Sequence, residues 1–263
     1  MTRVLGILNV TPDSFSDGGK YLEPAAAIAH AEALMEHADG LDIGAASSHP
    51  DSPVVGPLGE LRRLAPVLDA LRQTDMPFSI DTFEPEVQRW ACAQGASWIN
   101  DIHGFPHSET RRFLADHDVG LIAMFAVQQQ GNATRVATES TSIVKRVTDF
   151  FDERIGELER DGVDRSRVVV DPGMGFFLGS GPEPSIAVLR AIPMLRERYG
   201  LPVLVSVSRK SFLRRLTGVS VDAMAPATLA AELAAVSQGV EWLRTHDPAS
   251  LRMAMTVQRA ILS

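Results

Sequence analysis

Eight times along this chain a short apolar stretch is followed by a loop of small and polar residues and then by a run with helical spacing. The apolar stretches fall at residues 4–9, 41–44, 78–81, 98–102, 120–125, 167–171, 203–207 and 241–245. The helical runs fall at 23–37, 58–72, 85–94, 109–116, 143–160, 183–199, 225–238 and 248–262. Such alternation predicts parallel strands with helices packed outside them. Eight units in about 250 residues are what a (βα)8 TIM barrel requires. A doubly wound α/β sheet is the second choice, because it seldom reaches eight uninterrupted units. No linker or break in composition divides the chain, so residues 1–263 are expected to form one domain.

The bulk chemistry narrows the function class. At 45% apolar and 22% charged residues, the chain has ample material for a core. With 25 basic and 33 acidic side chains its formal charge is −8, so no global field draws nucleic acid or an anionic membrane to it. An anionic substrate would need a local basic cluster. The lone cysteine, Cys92, excludes an internal disulfide framework and fits a reducing compartment; it lies on an apparent helix face and reads as core. The first residues pass straight into a strand-like run without a signal peptide's apolar region, and no apolar run is long enough to span a bilayer, so a cytoplasmic protein is expected.

Chemistry concentrates at the ends of the strands. The stretch Val203-Leu-Val-Ser-Val-Ser-Arg-Lys-Ser-Phe-Leu213 begins as a strand buried on both faces and breaks into two cations flanked by hydroxyls. In parallel sheets that carboxyl end is where ligands bind. The other strand tips carry Asn9, Asp42, Asp81, Asn100 with Asp101, Asp171, and Arg244 with His246. An acid at one tip can be a helix cap or a turn former, as Asp81 and Asp171 could each be. Caps alone do not call for Asn, Lys and Arg on the same rim. Asp81, Asn100 and Asp171 suit the donor and acceptor edge of a guanidine-like heterocycle. Asn9, Arg244 and His246 suit an anion and its Mg²⁺. Lys210 and Ser211 could hold a ring carbonyl and a carboxylate. No Cys/His cluster has zinc spacing, and no Walker or dinucleotide glycine pattern follows a strand.

Two loops bear on access. Residues 11–21 carry Phe15 among Asp, Ser and paired Gly, the make-up of a mobile lid. In Asp171-Pro-Gly-Met-Gly-Phe-Phe-Leu-Gly179 the glycines let the backbone approach a ligand, while Phe176 and Phe177 offer an aromatic wall, one of them being expected to pack into the core.

Several of these segments together carry a resemblance. Gly6-Ile-Leu-Asn-Val-Thr-Pro-Asp-Ser-Phe-Ser-Asp-Gly-Gly19, Asp42-Ile-Gly44, Ser79-Ile-Asp-Thr82, Ile99-Asn-Asp101, Asp171-Pro-Gly-Met-Gly-Phe176, Ser208-Arg-Lys-Ser-Phe212 and Arg244-Thr-His246 resemble, in order and over essentially the whole chain, the dihydropteroate synthase family. That resemblance implies a Mg²⁺-dependent transferase of folate biosynthesis, joining p-aminobenzoate to 6-hydroxymethyl-7,8-dihydropterin diphosphate with loss of pyrophosphate. It implies that Asp81, Asn100, Asp171 and Lys210 bind the pterin, with Phe176 near its ring. Asn9, Arg244 and His246 would hold pyrophosphate, with Asn9 on the metal. Phe15, Ser48, Pro50, Lys210 and Ser211 would frame the aminobenzoate, and Asp17 would assist a cationic intermediate. A homodimer is the expected assembly.

The departures from the family pattern are informative. Ser47-Ser-His-Pro50 replaces Ser-Thr-Arg-Pro and so puts His49 where a cation is usual. Phe125 stands where a His usually follows Met124. Phe177 adds an aromatic after Phe176. Ala45-Ala-Ser-Ser-His-Pro50, Ile102-His-Gly-Phe-Pro106 and Gly175-Phe-Phe-Leu-Gly179 resemble the sulfonamide-insensitive branch carried on mobile resistance elements, and Phe177 is expected to narrow the aminobenzoate site against the larger drug. Two rival readings are a corrinoid-type pterin methyltransferase domain and a pterin-binding barrel without turnover. The first has no need of the Ser-Arg-Lys-Ser-Phe segment, and product formation separates the second.

Overall fold

The computed structural model describes residues 2–11, 24–128 and 130–262. Its strands are β1 (Arg3–Asn9), β2 (Gly40–Gly44), β3 (Phe78–Asp81), β4 (Trp98–Asp101), β5 (Gly120–Met124), β6 (Val168–Asp171), β7 (Leu204–Val205) and β8 (Trp242–Thr245). Between and after them run α1 (Pro24–Met35), α2 (Pro57–Leu71), α3 (Pro85–Ala93), α4 (Ser108–Ala115), α5 (Ser140–Arg160), α6 (Glu183–Arg190), α7 (Ile192–Tyr199), α8 (Ser211–Thr217), α9 (Ala225–Ser237) and α10 (Pro248–Leu262). All strand pairs are parallel, in the order β6-β5-β4-β3-β2-β1-β8-β7. A single parallel bridge between Val170 and Val203 brings the two ends of that order together. The expected TIM barrel is the fold observed.

The pleat sorts the side chains into two sets, because successive residues of a strand face opposite ways. One set, including Leu8, Ile43, Ile80, Ile99, Leu121, Val170, Val205 and Leu243, packs with the helices in the large core. The other set faces the axis. Leu5, Ile122, Val169, Leu204 and Trp242 form a separate apolar plug, with Trp98 packed against it and its ring edge-on to Trp242. Moving two residues toward the carboxyl ends keeps Ile7 and Met124 on β1 and β5 but brings Asn100, Asp171, Ser206 and Arg244 to the axis on β4, β6, β7 and β8. The plug thus closes one end of the barrel and leaves polar groups at the other.

Two elements differ from expectation. The helix anticipated over 183–199 is divided at Ala191 into α6 and α7. Pro193 at the second position of α7 lacks the N–H that would continue the first helix and crowds the preceding turn. The other addition is α8, which starts right at the site: Arg209 adopts φ +56°, and this left-handed residue turns the chain from the end of β7 into the short helix that buries Phe212 and Leu213.

Candidate active site

A cavity of about 510 Å³ opens at the carboxyl ends of the strands, and Asn9, Asp81, Phe176, Lys210, Arg244 and His246 are among the residues that line it. Ser48, Pro50, Phe177 and Ser211 share the same wall. Asp42, Asn100 and Asp171 are almost fully buried, on the axial phase of their strands. Phe15 and Asp17 lie outside the described residues.

The centre is one charged network. Arg244 Nη1 donates to Asp81 Oδ2 at 2.9 Å and also to Asp42, and Asn100 Nδ2 reaches the two Asp42 oxygens at 3.4 and 3.3 Å. Arg244, expected with the phosphate set, spans the axis to the acids of β2 and β3, so the two expected sets share one network. Burial would lower the Arg244 pKa, but Asp42, Asp81 and Asp171 more than offset it and the group is raised. Asp81 keeps 27% of its side chain open; burial nonetheless pushes its carboxyl up to about 6, Arg244 opposing and Asp42 adding to the shift. Asp171 is raised by burial as well. One of its oxygens accepts from the Gly173 N–H at 2.8 Å, so it is turn former and axial carboxylate at once. Gly173 must be glycine, because at φ +73° a Cβ would stand 2.3 Å from the Phe125 carbonyl oxygen.

Lys210 and His246 show what burial among cations does. The Lys210 ammonium lies 5.1 Å from the centre of the Phe177 ring. Burial and then Arg244 lower its pKa to about 8, against the pull of Asp171, Asp81 and Asp42. His246 is driven down to about 3 by burial and then by Arg209, Lys210 and Arg244, so it is neutral at physiological pH. Its Nδ1 lies 2.9 Å from Ser208 Oγ, and that oxygen already accepts from the His246 N–H at 3.2 Å. A hydroxyl has one proton. Given to Nδ1, it leaves Nε2 carrying the ring's hydrogen as a donor.

Four axial atoms have no partner among the described residues: Ser79 Oγ, lower on β3, and Asn100 Oδ1, Ser206 Oγ and Arg244 Nε are buried and unpaired. Each such group costs about 1–3 kcal/mol unless something else meets it. The barrel mouth is therefore built to receive a polar ligand.

The departures occupy definite places. Phe177 is 6% exposed and packs with Ile102, Met124, Ala126 and Ala133, so the expected core role holds for it although it also lines the cavity. Phe176 stands nearer the mouth, with its ring edge-on to His49 at 5.5 Å and the Arg135 guanidinium 5.6 Å from its centre. Phe125 falls on the outward phase of β5, where its ring meets Phe150 at 5.4 Å, and it does not line the cavity. Asp101 is outward too. It accepts from the N–H groups of His103 and Phe105 and from Gln88 Nε2 at 2.8, 3.1 and 2.9 Å, a loop anchor without a place in the cavity.

Sequence reasoning assigned no role to Asp42 and passed over Ser206, Met174 and Arg214, all of which the structure brings to the network or the wall; Arg209, expected as one of two cations at the seventh strand's end, lines the cavity too. For Ser206 the signal was present, because Ser206 and Ser208 share a phase with Leu204.

Known proteins agree with this geometry. The profile of the pterin-binding enzymes matches residues 5–246. Dihydropteroate synthase type-3 of Escherichia coli is 47% identical over 262 residues, covering 99% of this chain and 100% of that one. The chain belongs to the dihydropteroate synthase family. Among solved members, the Xanthomonas albilineans dihydropteroate synthase with 4-aminobenzoic acid superposes at a TM-score of 0.90 and 39% identity, covering 100% of this chain and 93% of that one. The same enzyme in complex with 7,8-dihydropteroate gives 0.86 and 38%, covering 100% and 94%. In this family member the axial acids, Lys210 and the cavity wall all converge on one mouth.

Proposed function

We propose that the protein is a dihydropteroate synthase. The amine nitrogen of p-aminobenzoate forms a bond to the methylene carbon of the pterin diphosphate, the carbon–oxygen bond to diphosphate breaks, and the amine gives up a proton. The observation that carries this reading is the unpaired, buried donor and acceptor set of Asn100, Ser206 and Arg244 among the carboxylates of Asp42, Asp81 and Asp171. A flat, guanidine-like bicycle would satisfy it. Leaving-group departure builds positive charge on the pterin methylene, and fixed carboxylates in a water-poor site stabilise that charge more in the transition state than in the ground state. Neutral His246 would donate through Nε2 to the departing diphosphate, and Arg244 supplies charge beside it.

Among the described residues no group of three or more His, Cys, Asp or Glu side chains could hold a metal by itself. Mg²⁺ keeps most of its water and is shared with substrate phosphates, so one hard oxygen from the protein suffices; Asn9, lining the cavity, would be that donor. When bound it would neutralise charge on the leaving diphosphate. We assign the aminobenzoate to the wall formed by Ser48, Pro50, Phe177 and Ser211. Phe177, held by Ile102 and Met124 behind it, would narrow that wall against a sulfonyl group. The single cysteine, Cys92, is free and half-buried, and a chain that uses no disulfide suits a cytoplasmic enzyme.

The test is product formation from the two substrates with Mg²⁺, with and without a sulfonamide, in the wild type and in Phe177→Gly. Dihydropteroate and pyrophosphate in equal amounts are expected, with inhibition strengthened at least tenfold in the variant. Absence of product would leave a pterin-binding barrel without turnover, and unchanged inhibition would remove the role of Phe177.

A further inference from the structure

Several of the arginines around the barrel mouth are already engaged. Arg244 is held by Asp42 and Asp81, Arg63 Nη1 donates to the Ala45 carbonyl at 2.6 Å, and Arg135 Nη1 donates to Asp51 Oδ1 at 2.6 Å. Arg214 on α8 is different. It lines the cavity and is exposed, and its guanidinium has no hydrogen-bond or ion-pair partner among the described residues. A guanidinium carries five donors and no acceptor. On an open surface water meets them, whereas on the wall of a cavity they also stand ready for an anionic group of a ligand.

Its place on α8 decides which part of a ligand it can meet. Ser211 opens the helix and Arg214 follows three residues later, one turn on along the same face, and both line the cavity. Phe212 and Leu213 between them are buried, which pins the opposite face to the core. Gly218, left-handed at φ +72°, returns its N–H to the Arg214 carbonyl at 2.8 Å and fixes the backbone there. Exposure rises from half-buried Ser211 to exposed Arg214, so the helix runs from the interior of the site toward its rim. p-Aminobenzoate carries its amine and its carboxylate at opposite ends of a flat ring. The amine must meet the pterin methylene inside, so the carboxylate must point outward. We propose that Arg214 is a specificity-determining residue that receives this carboxylate together with Ser211, and so selects an anionic para substituent over a neutral one. A hydroxyl alone serves a neutral acceptor nearly as well, whereas a guanidinium fork favours a full carboxylate charge. The diphosphate set of Asn9, Arg244 and His246 stands on and after other strands, and the cavity residues that follow α8, Val221 and Met224, are apolar and offer a diphosphate no further side-chain donor. The proposal rests on the dihydropteroate synthase reading.

Steady-state kinetics on the wild type, Arg214→Gln and Arg214→Lys test this, with p-aminobenzoate and its neutral amide, 4-aminobenzamide, as alternative amine substrates and pyrophosphate release as the readout. Arg214→Gln is expected to raise KM for p-aminobenzoate about tenfold, the loss of one charge-assisted hydrogen bond. The substitution removes only an exposed side chain, so Lys210 and Ser211 keep their places and KM for pterin diphosphate should stay within about twofold of wild type. Whatever preference the wild type shows for acid over amide in kcat/KM should shrink about tenfold in the variant. Arg214→Lys, which keeps the charge without the fork, should fall between the two. Added salt should weaken use of the acid by the wild type more than by Arg214→Gln. Equal losses for acid and amide would reveal a merely structural role, a rise in KM for pterin diphosphate would put Arg214 on the diphosphate, and an unchanged KM for p-aminobenzoate would leave it solvated. Each of these overturns the proposal. Wild-type protein that turns over neither amine would instead defeat the functional reading itself.

Discussion

Lys210 is the residue whose environment most directly sets when the site can work. Its ammonium is wanted as a donor to the pterin, and with a pKa lowered to about 8 it loses that form as pH rises through 8. Asp81 is wanted as a carboxylate, and with a pKa raised to about 6 it loses that form as pH falls through 6. The expected profile of kcat/KM for pterin diphosphate therefore rises through about pH 6, is flat near neutrality and declines through about pH 8. Lys210→Arg should lower activity, because a planar fork replaces a point donor, and should also abolish the alkaline limb, because guanidinium does not deprotonate in this range. An alkaline limb unchanged in that variant would show that another group sets it. His246 plays no part in either limb, being neutral throughout.

Among the elements, the loop after β4 shows how much buried polar structure supports one strand tip. Phe105 adopts φ +65° although it is not glycine, and it is almost completely buried. Asp101 holds the loop's N–H groups, while Arg111 Nη1 on α4 donates to the carbonyls of Phe105 and Pro106 at 2.9 and 2.8 Å. Arg154 on α5 donates to the carbonyls of His103 and Gly104 at 3.2 and 2.7 Å. Arg111 also pairs through Nε with Asp161 at 2.7 Å, both side chains being largely buried. Arg111→Ala should destabilise the fold by about 2–3 kcal/mol, since it leaves two loop carbonyls unmet and removes one partner of Asp161, which keeps Ser108 Oγ at 3.0 Å and Arg112 Nε at 3.1 Å, and Arg111→Lys should recover little without the fork. Denaturant unfolding measures this, and a loss below about 1 kcal/mol would contradict it. Nothing in the sequence signals this clasp, because residues about 50 apart meet only through the packing of α4 on α5. The eight strands, by contrast, were legible from apolar runs alone, and so were Asp81, Asn100, Asp171 and Arg244 from their place at strand ends. What the sequence reading lacked was phase. Counting by twos from the buried end of each strand places Ser206 inside, and turns Asp101 and Phe125 outward. Phe125, which stands where the family pattern has a His, thus faces Phe150 and the core rather than the cavity.

At the scale of the whole molecule, charge and apolar surface are both distributed unevenly. The chain carries −8 overall, yet its cavity is rimmed by Arg209, Lys210, Arg214 and Arg244, so the attraction for a diphosphate is local and short-ranged. On α9 and α10 lies a second groove of about 720 Å³, lined by Leu229, Leu233, Met253, Val257, Ile261 and Leu262 with no charged residue among its walls. Val257 is 58% and Ile261 76% exposed. Met253, Val257 and Ile261 recur every four residues, which makes one continuous stripe along α10. A face of this kind on a strongly acidic chain is best covered by a second copy, because a twofold axis brings stripe against stripe while the like charges stay at the rim. We therefore propose a homodimer through α9 and α10. The expected result is a dimer by sedimentation equilibrium at micromolar concentration for the wild type and a monomer for Val257→Asp, since each copy would then bury a carboxylate against apolar surface. The groove involves no residue of the cavity, so the monomeric variant should keep kcat within about threefold if it remains folded. A wild-type monomer, or a dimer that Val257→Asp leaves intact, would place the interface elsewhere.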